Sequence, residues 1–268
     1  MLLSVWFHFH FLCGGFFLCV LKSFCILKVL ITHEKSQKVC IAFRNLGIEA
    51  YSNDIEDCYG GHPEWHLKMD CKEAMKLKDW DFIGMHPVCT KITNSGNRHY
   101  AIGKPKHNER LEAVEYTIGL WELACSLAEY VYMENPLGAM NSDERLPKPQ
   151  IVHPYYFGDA VSKATCLWRK NLPALKYAMS DNLFDSKTSV APEWVIYNSK
   201  KSASGKSKYS ILGRLPTTGN NEKNRQIRSE TFTGIANAIS EQWALSLFSG
   251  VAKKMKMKLA DNGRQYEK

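Results

Sequence analysis

The sequence contains no C-x-x-C pair, although it carries nine cysteines. An odd number of scattered thiols, including Cys40, Cys58, Cys71, Cys89, Cys125 and Cys166, excludes a disulfide framework and fits a reduced, cytosolic chain. Tight ligand pairs of the zinc type are missing too. The nearest set, Cys58, His62, His66 and Cys71, is interrupted by Pro63 and Trp65, so no metal is expected. No internal repeat is present, which argues against a solenoid or propeller. Long apolar runs are absent after Leu27. The first 27 residues, MLLSVWFHFHFLCGGFFLCVLKSFCIL, are nearly all apolar. They lack the basic start and the small-residue cleavage site of a signal peptide. They fit a membrane anchor, a buried extra element, or an upstream extension of the reading frame. The last is favoured, because the patterned chain begins at Lys28. No stable membrane association is expected for the core.

What is present is ordinary globular material. The 268 residues are 45% hydrophobic and 23% charged. That suits one large domain, or one domain with a small insert. A formal net charge of +8 suits an anionic partner such as nucleic acid, without requiring one.

From Lys28 the pattern alternates. Val29–Thr32 reads as a buried strand, Ser36–Leu46 as a helix stopped by Gly47, and Ile48–Asn53 as a second strand ending at Asp54. Gly60, Gly61 and Pro63 mark a turn. His66–Met69 is a third strand ending at Asp70, Cys71–Lys78 a short helix, and Trp80–Met85 a fourth strand. Glu109–Leu127 reads as a long helix with Leu111, Val114, Ile118, Trp121 and Cys125 on one side. Tyr130–Met133 is a fifth strand, running into Glu134. Gln150–Tyr156 and Ala164–Trp168 are two more. Helical periodicity returns over Ser229–Leu247, and the charged tail after it is expected to fray.

Strict alternation of strand and helix predicts an α/β fold, a mostly parallel sheet with helices on both faces. In such sheets ligands bind outside the carboxyl ends of the strands. Asp54, Asp70, Cys89 and Glu134 all fall at those ends. Residues 1–27 form the extension, 28–173 the core, 174–228 a variable basic insert, 229–249 a helix returning to the core, and 250–268 the tail.

Cys89 follows a strand and opens a loop of Thr90, Thr93, Asn94, Ser95 and Gly96, the setting in which functional residues concentrate. Alone it fits a buried structural thiol as well as a nucleophile, and the former is commoner. Glu134 ends the neighbouring strand; by itself it is also a plain strand-end acid. Together a thiol and a carboxylic acid suit addition to a pyrimidine ring. The thiol attacks C6, the acid hydrogen-bonds N3, and C5 becomes nucleophilic.

The ordered motifs resemble those of the cytosine-5 DNA methyltransferases, most closely a compact branch common in phages and prophages. His86-Pro87-Val88-Cys89-Thr90 is similar to that branch's His-Pro-Pro-Cys-Thr loop. Thr93 and Gly96 fit the Ser/Thr and Gly that follow the nucleophile. Glu134-Asn135-Pro136 fits the glutamate motif. Tyr156-Phe157-Gly158, Lys163-Ala164-Thr165-Cys166-Leu167-Trp168, Thr233-Gly234-Ile235-Ala236 and Glu241-Gln242-Trp243 continue the likeness, which spans about residues 28–245.

The resemblance implies a Rossmann-like fold using S-adenosylmethionine as donor and acting on DNA. It implies Cys89 and Glu134 as catalytic residues. The donor would meet Thr32, Glu34 and Ser36 in the first loop, where Glu34-Lys35-Ser36-Gln37 stands in place of a Gly-rich loop. It would also meet Pro87, with Asp54 at the ribose and Asp70 at the adenine amine. Thr93, Asn94, Ser95, Gly96, Asn135, Lys163 and Thr165 would face the substrate. A monomeric, cytoplasmic enzyme of a bacterial or phage-infected cell is implied, with self-protection against restriction as its role. Two features depart from the pattern. Val88 replaces the second proline, which would stiffen the loop. The insert is short for a target-recognition domain, and its Lys200, Lys201, Lys206, Lys208 and Arg214 are the candidates for phosphate contacts. A free nucleotide or RNA as substrate, or a degenerate relative that only binds DNA, remain the alternatives.

Overall fold

The computed structural model describes residues 27–181, 185–198, 206–210, 212, 226 and 229–265, with backbone only from 251 onward. The hydrophobic extension therefore lies outside the described residues, as do Lys200, Lys201 and Arg214. Leu27, the last residue of the expected extension, is fully buried.

Seven strands form one sheet in the order β3-β2-β1-β4-β5-β7-β6. They are β1 (Lys28–Thr32), β2 (Glu49–Asp54), β3 (His66–Lys68), β4 (Phe82–Met85), β5 (Tyr130–Pro136), β6 (Gln150–Val152) and β7 (Thr165–Lys170). The first five run parallel, while β7 is antiparallel to both β5 and β6. The α/β fold is thus as expected from the alternation. Strands β1 and β4 lie at the centre and read as continuous apolar runs, which a strand covered on both faces requires. Gly84 in β4 leaves room for the Tyr132 ring, which occupies the place a Cβ would take.

Helices cover both faces. On one, α1 (Lys38–Asn45) and α4 (Thr233–Gln265) pack over the sheet through Val39, Phe43, Ile239 and Trp243. On the other, α2 (Cys71–Lys76) and α3 (His107–Leu127) do so through Met75, Ile118, Trp121 and Ala124. The chain leaves β1 toward β2 and β3, then returns to β4 on the other side of β1. The carboxyl edge between β1 and β4 is therefore the topological switch point, where a crevice opens.

Four local expectations differ. Leu111 is half exposed, and the buried side of α3 instead carries Arg110, Thr117, Ile118, Trp121 and Ala124. The first turn of α3 faces a polar loop rather than the sheet, which a uniform apolar stripe does not reveal. The strand expected over Gln150–Tyr156 stops at Val152, because Pro154 starts a 3-10 turn through Phe157. The basic insert, read as irregular, contains a hairpin of β8 (Trp194–Asn198) and β9 (Lys206–Ser210). The tail expected to fray continues α4 to Gln265.

Candidate active site

A loop and the end of a neighbouring strand carry the reactive pair. Cys89 lies four residues after β4 ends, and Glu134 sits within β5, the neighbouring strand. Cross-links hold the two segments together. Asn135 donates its amide to the Pro87 carbonyl at 3.0 Å. The Asn94 N–H donates to Leu137 at 2.9 Å, and the Ala139 N–H to Ile92 at 2.8 Å. Thr93 and Gly138 form an isolated bridge between them. Within its own loop, the Cys89 carbonyl accepts from the N–H groups of Ile92 and Thr93.

Both reactive groups line one cavity of about 800 Å³ together with Lys163. Burial raises the Glu134 carboxyl above the ordinary carboxylate range, and the Lys163 cation opposes this. Burial also raises the Cys89 thiol; the Glu134 charge adds to the rise and Lys163 opposes it. The site therefore holds a carboxyl that keeps its proton more readily than usual, beside a thiol that must surrender one to react. His86, three residues before Cys89, reaches Tyr132 Oη through Nε2 at 2.7 Å. Burial, then the nearby His33 and Lys163 charges, push this imidazole down to about 3, so it is neutral.

The far side of the cavity is built from β1, β2 and the loops after them. Ser36, Asp54, Asp70 and Pro87 line it, as does Glu34. Asp54 Oδ1 accepts from the Glu56 N–H, and Asp70 Oδ1 accepts from the Lys72 N–H as the N-cap of α2. Each carboxylate is thereby oriented by its own backbone. Glu34 does more than face a ligand. Its Oε1 accepts from Val39 N at 2.6 Å and its Oε2 from Cys40 N at 3.2 Å, satisfying two amides at the start of α1. Burial pushes this carboxyl up to about 8 against the pull of those donors.

In the loop between β1 and α1, His33 and Gln37 both have a φ of 59°, the left-handed region. A Gly-rich loop would adopt this freely. Here Gln37 is held in it by its own side chain, which donates to Ser52 Oγ and the His62 carbonyl and accepts from the His62 N–H. Strain stored at a candidate ligand loop is a common accompaniment of function.

The remaining expected site residues stand behind the cavity wall rather than in it. Thr32 is buried and bonds the Gly84 carbonyl. Thr165 is buried in β7 with its hydroxyl on the Lys163 carbonyl. Thr93, Asn94, Ser95 and Gly96 shape the Cys89 loop, with Thr93 Oγ1 and Ser95 Oγ 2.7 Å apart. Asn135 positions Pro87. Other lining residues had no sequence signal of their own: His33, Tyr59, Glu230 and Thr231. Glu230 pairs with Lys38 at 3.1 Å and also bonds Tyr59, which closes the crevice from the α4 side.

Among the described residues no cluster of His, Cys, Asp and Glu could hold a metal ion. His66 spends its two ring nitrogens on Ser52 Oγ and the Glu56 carbonyl, and His62 stacks on Trp65. No described helix is long and apolar enough to cross a membrane.

No family model matches the chain, and no curated protein does. Among solved structures, it is similar to the Entamoeba histolytica methyltransferase EhMeth, at 12% identity and a TM-score of 0.37. That match covers 73% of this chain, which spans 61% of the length of the other.

Proposed function

We propose that this chain transfers a methyl group from S-adenosylmethionine to C5 of cytosine in DNA. One observation carries this. A thiol and a raised carboxyl, coupled electrostatically to each other and to Lys163, line one cavity together with the carboxylates of Asp54 and Asp70. The volume is of the size that encloses small-molecule ligands.

The donor side fits the residues present. Asp54 and Asp70 offer oriented carboxylates to hydroxyl and amine groups, and Asn53 contributes a buried Oδ1 with no partner in the same wall. When bound there, S-adenosylmethionine supplies an electrophilic methyl carbon. Everything else falls to the protein and the base. A cytosine within a duplex cannot reach Cys89, so it must leave the stack. Cys89 loses its proton and its Sγ forms a bond to C6. Glu134, whose burial makes its carboxyl keep a proton more readily than usual, hydrogen-bonds N3 and offsets the charge that builds in the ring. The electron pair displaced to C5 would take the methyl carbon as that carbon's bond to the donor's sulfonium sulfur breaks, leaving a neutral thioether. The C5 proton then passes to solvent, its electron pair reforms the C5–C6 double bond, and the C6–sulfur bond breaks with its pair returning to the Cys89 sulfur as thiolate. Lys163 supplies the nearby cation that favours the thiolate during this cycle.

Val88 does not undo this geometry. Its side chain is 73% exposed, and the loop beside it is anchored at Pro87 and at Cys89 through backbone and amide bonds. DNA is the proposed partner, the cytoplasm of a bacterial or phage-infected cell the proposed setting, and a monomer the proposed state. Protection against restriction is the proposed role.

Duplex DNA containing 5-fluorocytosine tests the reading. Fluorine at C5 blocks the last elimination, so the enzyme stays attached. A donor-dependent adduct mapped to Cys89, lost in Cys89→Ser, is the expected outcome. If no adduct forms on DNA of varied sequence while dCMP or RNA is methylated, the substrate is a nucleotide or RNA instead. If nothing is methylated but DNA is bound, the chain is a binding relative only.

A further inference from the structure

The loop that carries Cys89 is fixed on two sides. One side is the Glu134 segment described above. The other is a single side chain, Arg110, in the first turns of α3. Its Nε donates to the Lys91 carbonyl at 2.7 Å, its Nη1 to Asn97 Oδ1 at 2.7 Å and its Nη2 to the Thr93 carbonyl at 3.1 Å. The guanidinium thus grips three points between the second and the eighth residue after Cys89. It is only 8% exposed. Among the described residues no carboxylate lies within 4.0 Å of it; of the acids nearest in sequence, Glu109 pairs with Lys91 and Lys106, and Glu112 lines the cavity.

A buried cation without a carboxylate is costly unless polar groups compensate it. Here the compensation comes from the loop itself. If the loop swings away, the guanidinium loses its acceptors and stands buried and unpaired. The charge therefore acts as a penalty on every loop position other than this one. Gly96 belongs to the same arrangement. A Cβ there would press on the Thr90 carbonyl at 2.8 Å and the Tyr100 ring at 3.2 Å, so glycine lets the loop turn this tightly around Arg110.

We propose that Arg110 is the positioning residue for Cys89, holding the nucleophile's loop against the Glu134 segment before any ligand arrives. This rests on the methyl-transfer reading for its kinetic consequence, but not for its geometric one. Lysine is a poor substitute, because a single ammonium on a flexible stem cannot reproduce a planar fork that reaches three acceptors.

The test pairs kinetics with thiol labelling. In Arg110→Ala, kcat for methyl transfer to DNA is expected to fall about 10- to 100-fold, the usual cost of a misplaced reacting group, while the donor KM stays within about twofold. Arg110→Lys should fall between. Iodoacetamide labelling of Cys89, followed by mass spectrometry, should speed up several-fold in Arg110→Ala as the loop opens. Cys40 and Cys166, both fully buried, must stay unlabelled, which certifies the fold. Unchanged Cys89 labelling with unchanged kcat overturns the proposal. Should Cys40 become labelled, the alanine variant has unfolded and Asn97→Ala decides, since it removes one acceptor only: a smaller change in the same direction supports the proposal, and none overturns it. Should the native protein methylate nothing, faster Cys89 labelling in the variants still supports Arg110 as the positioning residue and only the methyl-transfer reading falls.

Discussion

At the scale of the residue, the site is governed by what burial does to charge. Glu34, Glu134 and Cys89 are all raised by it, and His86 is lowered. Glu34 has a consequence for stability that can be signed. Its folded value is about 8 against 4.5 for an ordinary glutamate. Between those values the unfolded chain gives up the proton and the folded one keeps it. The Glu34 contribution is thus present below about pH 4.5 and lost as pH rises toward 8. Glu34→Gln removes this dependence. At pH 5 the variant should be the less stable, because its one oxygen cannot accept from both Val39 and Cys40. By pH 8 the gap between the two proteins should narrow. Urea denaturation at several pH values measures it, and a gap that does not change with pH would show that Glu34 ionises normally.

At the scale of the element, chemistry depends on two loops meeting. Gly138 is where they touch. Its φ of 179° is plain extended backbone, so glycine is not needed there for conformation. It is needed for space, since an added Cβ would run into the Ile92 carbonyl. Backbone cannot yield as a side chain can. Gly138→Ala should therefore push the Cys89 loop and the Glu134 segment apart. The expected cost is about 1–3 kcal/mol of stability, as for other overpacked sites, with a larger proportional loss of methyl transfer than of donor binding. Thermal unfolding and donor titration of the same variant check both parts. Full activity in Gly138→Ala would mean that the contact between the loops is dispensable.

At the scale of the molecule, the core supplies a cavity, and DNA contacts are proposed outside it. The insert carries the conspicuous candidate. In the β8–β9 hairpin, Trp194, Ile196 and Tyr197 are exposed beside Lys206 and Lys208, and the Lys208 ammonium lies 4.4 Å over the Trp194 ring. A two-stranded ribbon with cations on it has the dimensions to enter a groove. If Lys206 and Lys208 meet phosphates, their alanine variants should weaken DNA binding at every sequence. The slope of log K against log salt should become shallower by about 1 for each lysine removed. Fluorescence anisotropy across a salt series measures this, and an unaltered slope assigns the DNA contacts elsewhere.

Much of this was legible in the sequence because it depends on local pattern. The strand-helix alternation from Lys28 to Tyr130 gave the parallel sheet, since a buried parallel strand such as Val29-Leu30-Ile31 must be continuously apolar. Asp54, Asp70 and Cys89 could be placed at or just beyond strand ends because β-branched and apolar runs stop visibly there, whereas β5 continues through Glu134 to Pro136. What depends on approach between distant segments was not legible. No local pattern says that Arg110 turns into the Cys89 loop, that Glu34 is spent largely on the start of α1, or that Thr165 is walled off behind Lys163. Nor could spacing show that burial raises both the Glu134 carboxyl and the Cys89 thiol. Those properties come from desolvation, and only the closed tertiary structure excludes the water that sets them.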